Sequence, residues 1–362
     1  QTLPAPTPLS TPQAVPITLV PANPALSPED AAWAKVVAAA KKEGVVTIYS
    51  ASFVGDSASR IARDFQSQYG IKVEILAGSG AIVKERIVVE QAIKQQVADV
   101  FNGGGATSRT EITLQGMTEP IAHLLPAVLE DKEAFKLEPV YSPGGEMLAW
   151  GISYSGVVVN TKLVKPQDEP RFYNDLLDTR WKGQMLAQDP STGGSAPFFY
   201  VPRFYKVVDL DYYRRLAQQD LKFWAGNTRE GIAMVARGEY AMNLVASTET
   251  VAPIIAEGAP LKMLNLDEGS VVTTLTIVVI KGAPHPNAAK VFVNWLLGPQ
   301  GQLAYAESMS GSPVRKDVPD FLSPSARVSP SPKKLWPRTW DFEEWNVKDM
   351  AAGTMRKVFN IK

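Results

Sequence analysis

The residues of this chain best placed to do chemistry are hydroxyls and glycines gathered in four short turns. Ser50 and Ser52 follow the run Val45-Val46-Thr47-Ile48-Tyr49, Gly78-Ser79-Gly80 follows 71–76, Asn102-Gly103-Gly104-Gly105 follows Ala98-Asp99-Val100-Phe101, and Ser191-Thr192-Gly193-Gly194-Ser195 follows Asp189-Pro190. A serine ahead of a helix presents its hydroxyl together with the first free N–H groups, and the helix dipole favours negative charge at that end. Ser79-Gly80 and 191–195 both read this way. Two such helix starts facing each other would grip an anionic group without a charged side chain. Each turn also reads as an ordinary helix cap. The candidate ligand contacts from these turns are Ser50, Ser52, Ser79, Gly80, Gly104, Ser191, Thr192, Gly193, Gly194 and Ser195.

The elements that must position them follow from periodicity and punctuation. Ser27 and Pro28 suit a helix start, Glu29 and Asp30 complement its dipole, and Trp33, Val36, Val37 and Ala40 recur at helical spacing until Gly44. The β-branched run 45–49 predicts a strand. Ala58, Ile61, Ala62, Phe65 and Tyr69 predict a second helix closed by Gly70, and 71–76 a second strand. A long helix is expected over 81–96, then a buried strand over 98–101. Repeated strand–loop–helix units mean a largely parallel sheet covered by helices, with ligands outside the carboxyl ends of its strands. Two longer β-branched runs, 150–159 (interrupted at Ser153-Tyr154-Ser155-Gly156) and 271–280, are long enough to cross between domains. They predict a discontinuous first lobe, 29–152 with 275–362, an inserted second lobe, 153–274, and a ligand cleft between them.

Composition narrows the function. The chain has 37 Lys+Arg and 37 Asp+Glu, so no basic excess exists to displace counterions, and nucleic acid is not an expected partner. It has no cysteine and two histidines, which excludes thiol nucleophiles, cysteine-based zinc or iron–sulfur sites and any three-histidine metal site. No cofactor or resident metal is expected. Neither a Gly-x-Gly-x-x-Gly fingerprint nor a P-loop is present, and two histidines give no convincing Ser-His-Asp order, so an enzyme is not expected. No apolar run reaches 18 residues. Residues 1–28 hold eight prolines (4, 6, 8, 12, 16, 21, 24 and 28) and no charge, which predicts a semi-rigid extended spacer. The segment lacks the basic start and continuous apolar core of a signal peptide.

Lys281-Gly282-Ala283-Pro284-His285-Pro286, continuing through Asn294-Trp295-Leu296-Leu297-Gly298-Pro299-Gln300-Gly301-Gln302, resembles the signature helix of bacterial extracytoplasmic solute-binding proteins. Ser312-Pro313-Val314-Arg315, Trp181-Lys182-Gly183 and Asp189-Pro190 fit the same pattern, and the similarity runs in order over about 29–320. The branch it resembles includes binders of ferric iron, thiamine, polyamines and phosphonates. The resemblance implies an α/β chain of the type II periplasmic-binding fold, with two lobes joined by two crossing strands. It also implies an extracytoplasmic monomer that delivers a small solute to the membrane permease of an ABC importer; the proline-rich segment, read by itself, is either a tether like that of bacterial lipoproteins or a plain disordered tail.

The ligand is a separate question. Ferric binders of this branch carry two adjacent tyrosines shortly after a Gly-Glu-x-x-x strand. Here Gly238-Glu239-Tyr240-Ala241-Met242-Asn243-Leu244-Val245 is followed by Ala246-Ser247-Thr248-Glu249-Thr250, without tyrosine. Ferric iron needs hard anionic oxygens. Tyr212-Tyr213, the one tyrosine pair, lies roughly 30 residues too early, with one ring expected in the core and one at the surface. The resemblance places Thr248 and Glu249 among the ligand contacts, where Glu249 would answer a cationic group. Serine hydroxyls with one carboxylate suit an anionic or zwitterionic organic solute bearing phosphonate, phosphate or carboxylate. A ferric-iron binder with a non-standard or anion-assisted site is one alternative, and a ligand-sensing module for a receptor is another. Tyr154, Tyr200 and Trp224 are available for stacking on a ligand, although aromatics more often fill the core. His123 is expected to be packed, His285 to lie on a surface loop, and Trp336, Trp340 and Trp345 to pin the C-terminal tail onto the first lobe.

Overall fold

The computed structural model describes residues 28–53, 55–78, 80–105, 107–130, 132–137, 139–224, 228–309, 311–321, 335–337 and 339–361. The proline-rich stretch before Pro28 and the candidate Ser79 lie outside them. Helix α1 (Pro28–Glu43) has acidic residues in its first turn and Lys41 and Lys42 in its last, both favourable to the dipole. Gly44, at φ +75°, supplies the left-handed residue that ends it and leads into β1 (Val45–Ser50). Helix α2 (Gly55–Tyr69) crosses to β2 (Lys72–Ala77) and α3 (Gly80–Ile93) crosses back to β3 (Val100–Gly104), with β2 and β3 parallel to β1 on either side. The crossovers run in opposite directions, so α2 and α3 cover opposite faces: Ile61 and Phe65 enter one core, Val83 and Ile87 another.

A π-helical segment (Thr107–Ile112), β4 (Thr118–Glu119) and α4 (Pro126–Leu129) lead to the long β5 (Met147–Asn160). Next come β6 (Met185–Gln188), α5 (Ala196–Phe199), α6 (Val201–Phe204), α7 (Leu210–Leu216), β7 (Lys222–Trp224), α8 (Thr228–Arg237), β8 (Met242–Ser247), α9 (Thr248–Ala256) and β9 (Leu261–Leu264). Strand β10 (Ser270–Ile280) returns to the first half, followed by α10 (Pro286–Leu297), α11 (Pro299–Met309), β11 (Ser312–Pro313), β12 (Leu335–Pro337), α12 (Trp340–Ala351) and α13 (Thr354–Val358).

One sheet runs through the molecule in the order β2-β1-β3-β10-β5-β8-β6-β7. Its centre is the antiparallel pair β5 and β10, which runs from Met147↔Val278 to Ser155↔Val271 with a one-residue register shift between Leu275 and Thr276, opposite Trp150. β10 pairs with β3 on its other edge, and β5 turns to β8 and β9 from Ser155 onward. The interruption expected at 153–156 does not occur, because Ser153, Tyr154 and Ser155 are bonded to Thr273, Val272 and Val271. Gly156 has a different role: a Cβ there would lie 2.4 Å from the Leu264 carbonyl oxygen, so only glycine lets β9 approach.

Two main cores flank this central pair. One is built from residues between Ala40 and Ile152 and between Val272 and Val314, with Phe53, Phe65, Trp150, Phe292, Trp295 and Tyr305 in tilted or edge-to-face ring contacts. The other spans Val157 to Val271 and takes in Trp336, Phe342 and Met355. The C-terminal extension therefore packs on the second body, not on the first as the sequence suggested. Arg203 pairs bidentately with Asp349 and lies 4.7 Å from the Trp345 ring centroid, while Phe204 meets Phe342 and Trp345. The Trp340 side chain lies outside the described residues.

The turn from α3 into β3 is held by one carboxylate. Glu90 accepts bonds from the Tyr49 hydroxyl, the Gln96 side-chain amide, the N–H groups of Val97 and Ala98, and Arg86. Burial raises its pKa, but these donors outweigh burial and leave it below the usual carboxylate value. The lowered pKa means Glu90 contributes stability above the unfolded-state value near 4, and that this contribution is lost as pH falls through the folded value. Glu90→Gln is expected to lower stability by about 1–3 kcal/mol at pH 7. The gap to wild type should narrow on acidification in urea unfolding from pH 7 to pH 3.5.

Candidate functional site

A cleft of about 790 Å³ opens between the two bodies. The first contributes Ala51, Ser52, Asp56, Ser57, Gly104, Ser308 and Met309, the second Arg229, Thr250 and Pro253, with Leu275 from the crossing strand β10. The volume suits a small molecule. The lining follows from the topology. Ala51 and Ser52 sit past the carboxyl end of β1 and Gly104 ends β3, the two parallel strands at which the rule for open sheets places a ligand. Asp56 and Ser57 are in the first turn of α2, Arg229 in the first turn of α8 and Thr250 in the first turn of α9. Three helix N-termini thus border one space, each with backbone N–H groups that lack intrahelical partners. A Cβ at Gly104 would meet nothing within 4 Å, so this strand end leaves open room. Asp56 and Arg229 are the charged residues of the lining, one from each body, and among the described residues neither is paired.

Of the residues expected from sequence, Ser52 and Gly104 line this cleft. Ser50 does not: it is fully buried, donates to Asn102 Oδ1 and accepts the N–H groups of Ser52 (3.1 Å) and Phe53 (2.6 Å). Its hydroxyl shapes the turn that presents Ser52. Gly80 opens α3. Thr248 is buried and its Oγ1 accepts the Tyr154 N–H at 3.2 Å, tying α9 to β5. Glu249 lies in the first turn of α9, with its side chain outside the described residues.

The turn 191–195 departs furthest from expectation. The Asp189 carboxylate accepts both the N–H (2.7 Å) and the hydroxyl (2.6 Å) of Ser191, and the Asp189 carbonyl accepts the Thr192 hydroxyl (2.8 Å). Gly193–Ser195 form a 3₁₀ turn, Ser195 is buried with its hydroxyl on the Thr192 carbonyl, and a Cβ at Gly194 would lie 2.3 Å from Gln188 Oε1. The helix that follows has four residues, too few for an appreciable dipole. The opposed helix start expected here is therefore replaced by a self-bonded turn. The N-termini of α8 and α9 hold the corresponding place in the cleft.

The tyrosine pair is also settled by packing. Tyr212 and Tyr213 are both in the second core, correcting the expectation of one at the surface. Tyr212 donates to the Tyr173 carbonyl (3.0 Å) and Tyr213 to the Phe198 carbonyl (2.7 Å). Burial holds both pKa values well above 10. Tyr200 is buried with its hydroxyl on the Pro190 carbonyl, and Tyr154 and Trp224 pack against cores. His123, expected to be packed, is exposed in a short 3₁₀ turn, while His285 caps α10 and bonds to the buried Asp99. Among the described residues no three or more of His, Asp and Glu converge where they could hold a metal ion, and no helix is long and apolar enough to cross a membrane.

Residues 60–335 match the family described as bacterial extracellular solute-binding protein. The chain belongs to that family. This solute-binding protein is 24% identical over 318 residues to a Salmonella typhimurium protein provisionally named a 2-aminoethylphosphonate-binding periplasmic protein, across 83% of this chain and 88% of the relative. It superposes on iron-bound HitA from Pseudomonas aeruginosa with a TM-score of 0.68 at 21% identity, covering 87% of this chain and 99% of HitA. The periplasmic binding protein AfuA from Actinobacillus pleuropneumoniae, with fructose-6-phosphate bound, gives the same TM-score at 22% identity, covering 87% of this chain and 97% of AfuA. The solute-binding protein therefore has the type II periplasmic-binding fold inferred from its sequence. Sequence reasoning missed Asp56, Ser57, Arg229, Thr250 and Ser308. A signal for four of these was present, since each stands in the first turn of a helix that follows a strand or a polar turn, where side chains face the carboxyl edge of the sheet.

Proposed function

We propose that this protein is the extracytoplasmic receptor of an ABC importer, delivering its solute to a membrane permease without chemical change. The solute is a small anionic or zwitterionic organic molecule bearing phosphonate, phosphate or carboxylate, enclosed as two lobes close about β5 and β10. The first lobe comprises residues 29–152 with 275–321, and the second comprises 153–274 with the C-terminal helices. The single observation that carries this reading is the second wall of the cleft, where the N-termini of α8 and α9 stand beside Arg229, which is unpaired among the described residues. Backbone N–H groups, helix dipoles and a guanidinium together favour an anion. Membership of the solute-binding family and the phosphonate and sugar-phosphate ligands named for its relatives agree with this. Ferric iron has weaker support: the hydroxyls of the one tyrosine pair, Tyr212 and Tyr213, are buried, neutral and bonded to carbonyls. The proline-rich segment would act as a tether to the membrane, and the protein as a monomer.

The test is a thermal-shift screen with phosphate, phosphonates, sugar phosphates, amino acids, polyamines and ferric iron with and without citrate. A ligand at 100 times its Kd adds about 2.7 kcal/mol to stability, a readily measured shift. Arg229→Gln is expected to weaken the best anionic hit about 10–100-fold by calorimetry while leaving the unliganded melting temperature unchanged. The largest shift with ferric iron, undisturbed by Arg229→Gln, would overturn the reading.

A further inference from the structure

The two charges of the cleft differ in sign and come from opposite bodies. Asp56 lies in the first turn of α2, Arg229 in the first turn of α8. Both residues are exposed, and neither has an ion-pair or hydrogen-bond partner among the described residues. An acid in the first turn of α2 complements that helix's own dipole and so cancels the attraction α2 would exert on an anion. A bare anion entering the cleft would also meet a like charge on the first body. Arg229 has the reverse effect: it adds positive charge to a helix end that is already positive, which is unfavourable for α8 and favourable for an anion beside it. The cleft is therefore polarised, negative toward the first body and positive toward the second.

We infer that Asp56 is a specificity-determining residue that selects ligands carrying an ammonium group, with the ammonium facing the first body at Asp56 and the acid group facing Arg229 and the N-termini of α8 and α9. The inference rests on the anion-cleft reading above and sharpens it from anionic or zwitterionic to zwitterionic. A carboxylate next to an anion site discriminates by repelling ligands that lack the cation as well as by attracting those that have it. Closing the lobes brings the two ends of one zwitterion between opposite charges. A simple phosphate or sugar phosphate satisfies only the Arg229 side and leaves the Asp56 carboxylate to be desolvated without a partner.

Matched probes that differ only in the amine test this: 2-aminoethylphosphonate against ethylphosphonate, and β-alanine against propionate, each titrated calorimetrically into the full chain. In the wild type the amine-bearing member of at least one pair should bind tenfold or more tightly than its partner. Asp56→Asn should bring the two members within about threefold, Asp56→Glu should keep the preference, and Arg229→Gln should weaken both members. Equal affinities in the wild type would overturn the inference and leave the anion-cleft reading standing. An equal loss of both members in Asp56→Asn would also overturn it, marking Asp56 as an interlobe contact of Arg229. Failure of all four probes to bind folded wild-type protein that does bind phosphate or a sugar phosphate would overturn the inference alone; failure of those anions as well would overturn the anion-cleft reading with it.

Discussion

Replacing Asp99 by alanine is expected to cost about 3 kcal/mol of folding stability at neutral pH, read as a lower urea midpoint with an unchanged slope. Asp99 has no exposed surface. Its carboxylate accepts the Thr47 N–H (2.7 Å) and the His285 N–H (2.7 Å) and faces His285 Nδ1 at 2.9 Å. One side chain thus fastens β1, the strand preceding the candidate site, to the start of α10. Alanine leaves two backbone N–H groups and an imidazole without an acceptor. Asn at this position keeps the shape but turns an amide N–H₂ toward donors, so Asp99→Asn should recover only part of the loss. Burial raises the Asp99 carboxyl above its ordinary value, against the pull of Thr47 and His285. A raised folded-state pKa contributes stability that is fully present below the unfolded value near 4 and is lost as pH rises through the folded value. The difference between wild type and Asp99→Ala should therefore grow toward pH 3.5, opposite in sign to the Glu90→Gln comparison. A wild-type advantage that instead vanished on acidification would show that the donors, not burial, set the state of Asp99.

This pair marks where reading the chain in order stops being informative. Strand β3 and the loop before α10 were both legible, Asp99 as part of a buried strand and His285 as a surface loop between prolines. Their union across 186 positions follows only from β10 lying antiparallel beside β3. The same limit explains the site. Ser52 and Gly104 were legible because strand ends in a parallel sheet are marked locally by small polar residues. Ser50 carries the same mark, but its hydroxyl is consumed by the turn two and three residues ahead. At 191–195 the local competitor was Asp189, whose carboxylate takes the Ser191 N–H and hydroxyl and folds the segment on itself. Asp56 and Arg229 look like solvated positions on amphipathic helices. Only the crossing of β5 and β10 brings their helix ends to one space. The fold was legible because alternating strands and helices with long crossing runs admit few topologies. The site was half legible because its second wall comes from helices whose orientation no local pattern states.

Trp336→Ala is expected to destabilise the second body by about 3–5 kcal/mol, the range for removing a large aromatic side chain from a packed core. Trp336 is 1% exposed and belongs to the core that holds Tyr173, Phe199 and Tyr213. Its strand, β12, lies parallel to β10 with Trp336 opposite Val271, so the extension is bonded to the crossing strand where that strand enters the second body. Trp336 Nε1 is buried without a hydrogen-bond partner, so Trp336→Phe removes volume but leaves no new polar group unsatisfied, and should cost markedly less. Beyond β12 the extension is fixed by the Arg203–Asp349 pair, in which both side chains are 14% exposed, and by Phe359 between Phe199 and Phe223. Loss of the Trp336 ring should therefore raise amide exchange in Ser270–Val272 and in α12 together, while the first core around Phe65 and Phe292 keeps its protection. Because β10 reaches the cleft at Leu275, ligand affinity should fall along with this protection in Trp336→Ala and be retained in Trp336→Phe. Exchange confined to α12, with Ser270–Val272 unchanged, would show instead that the extension is only attached to the second body and does not brace the strand on which the lobes turn.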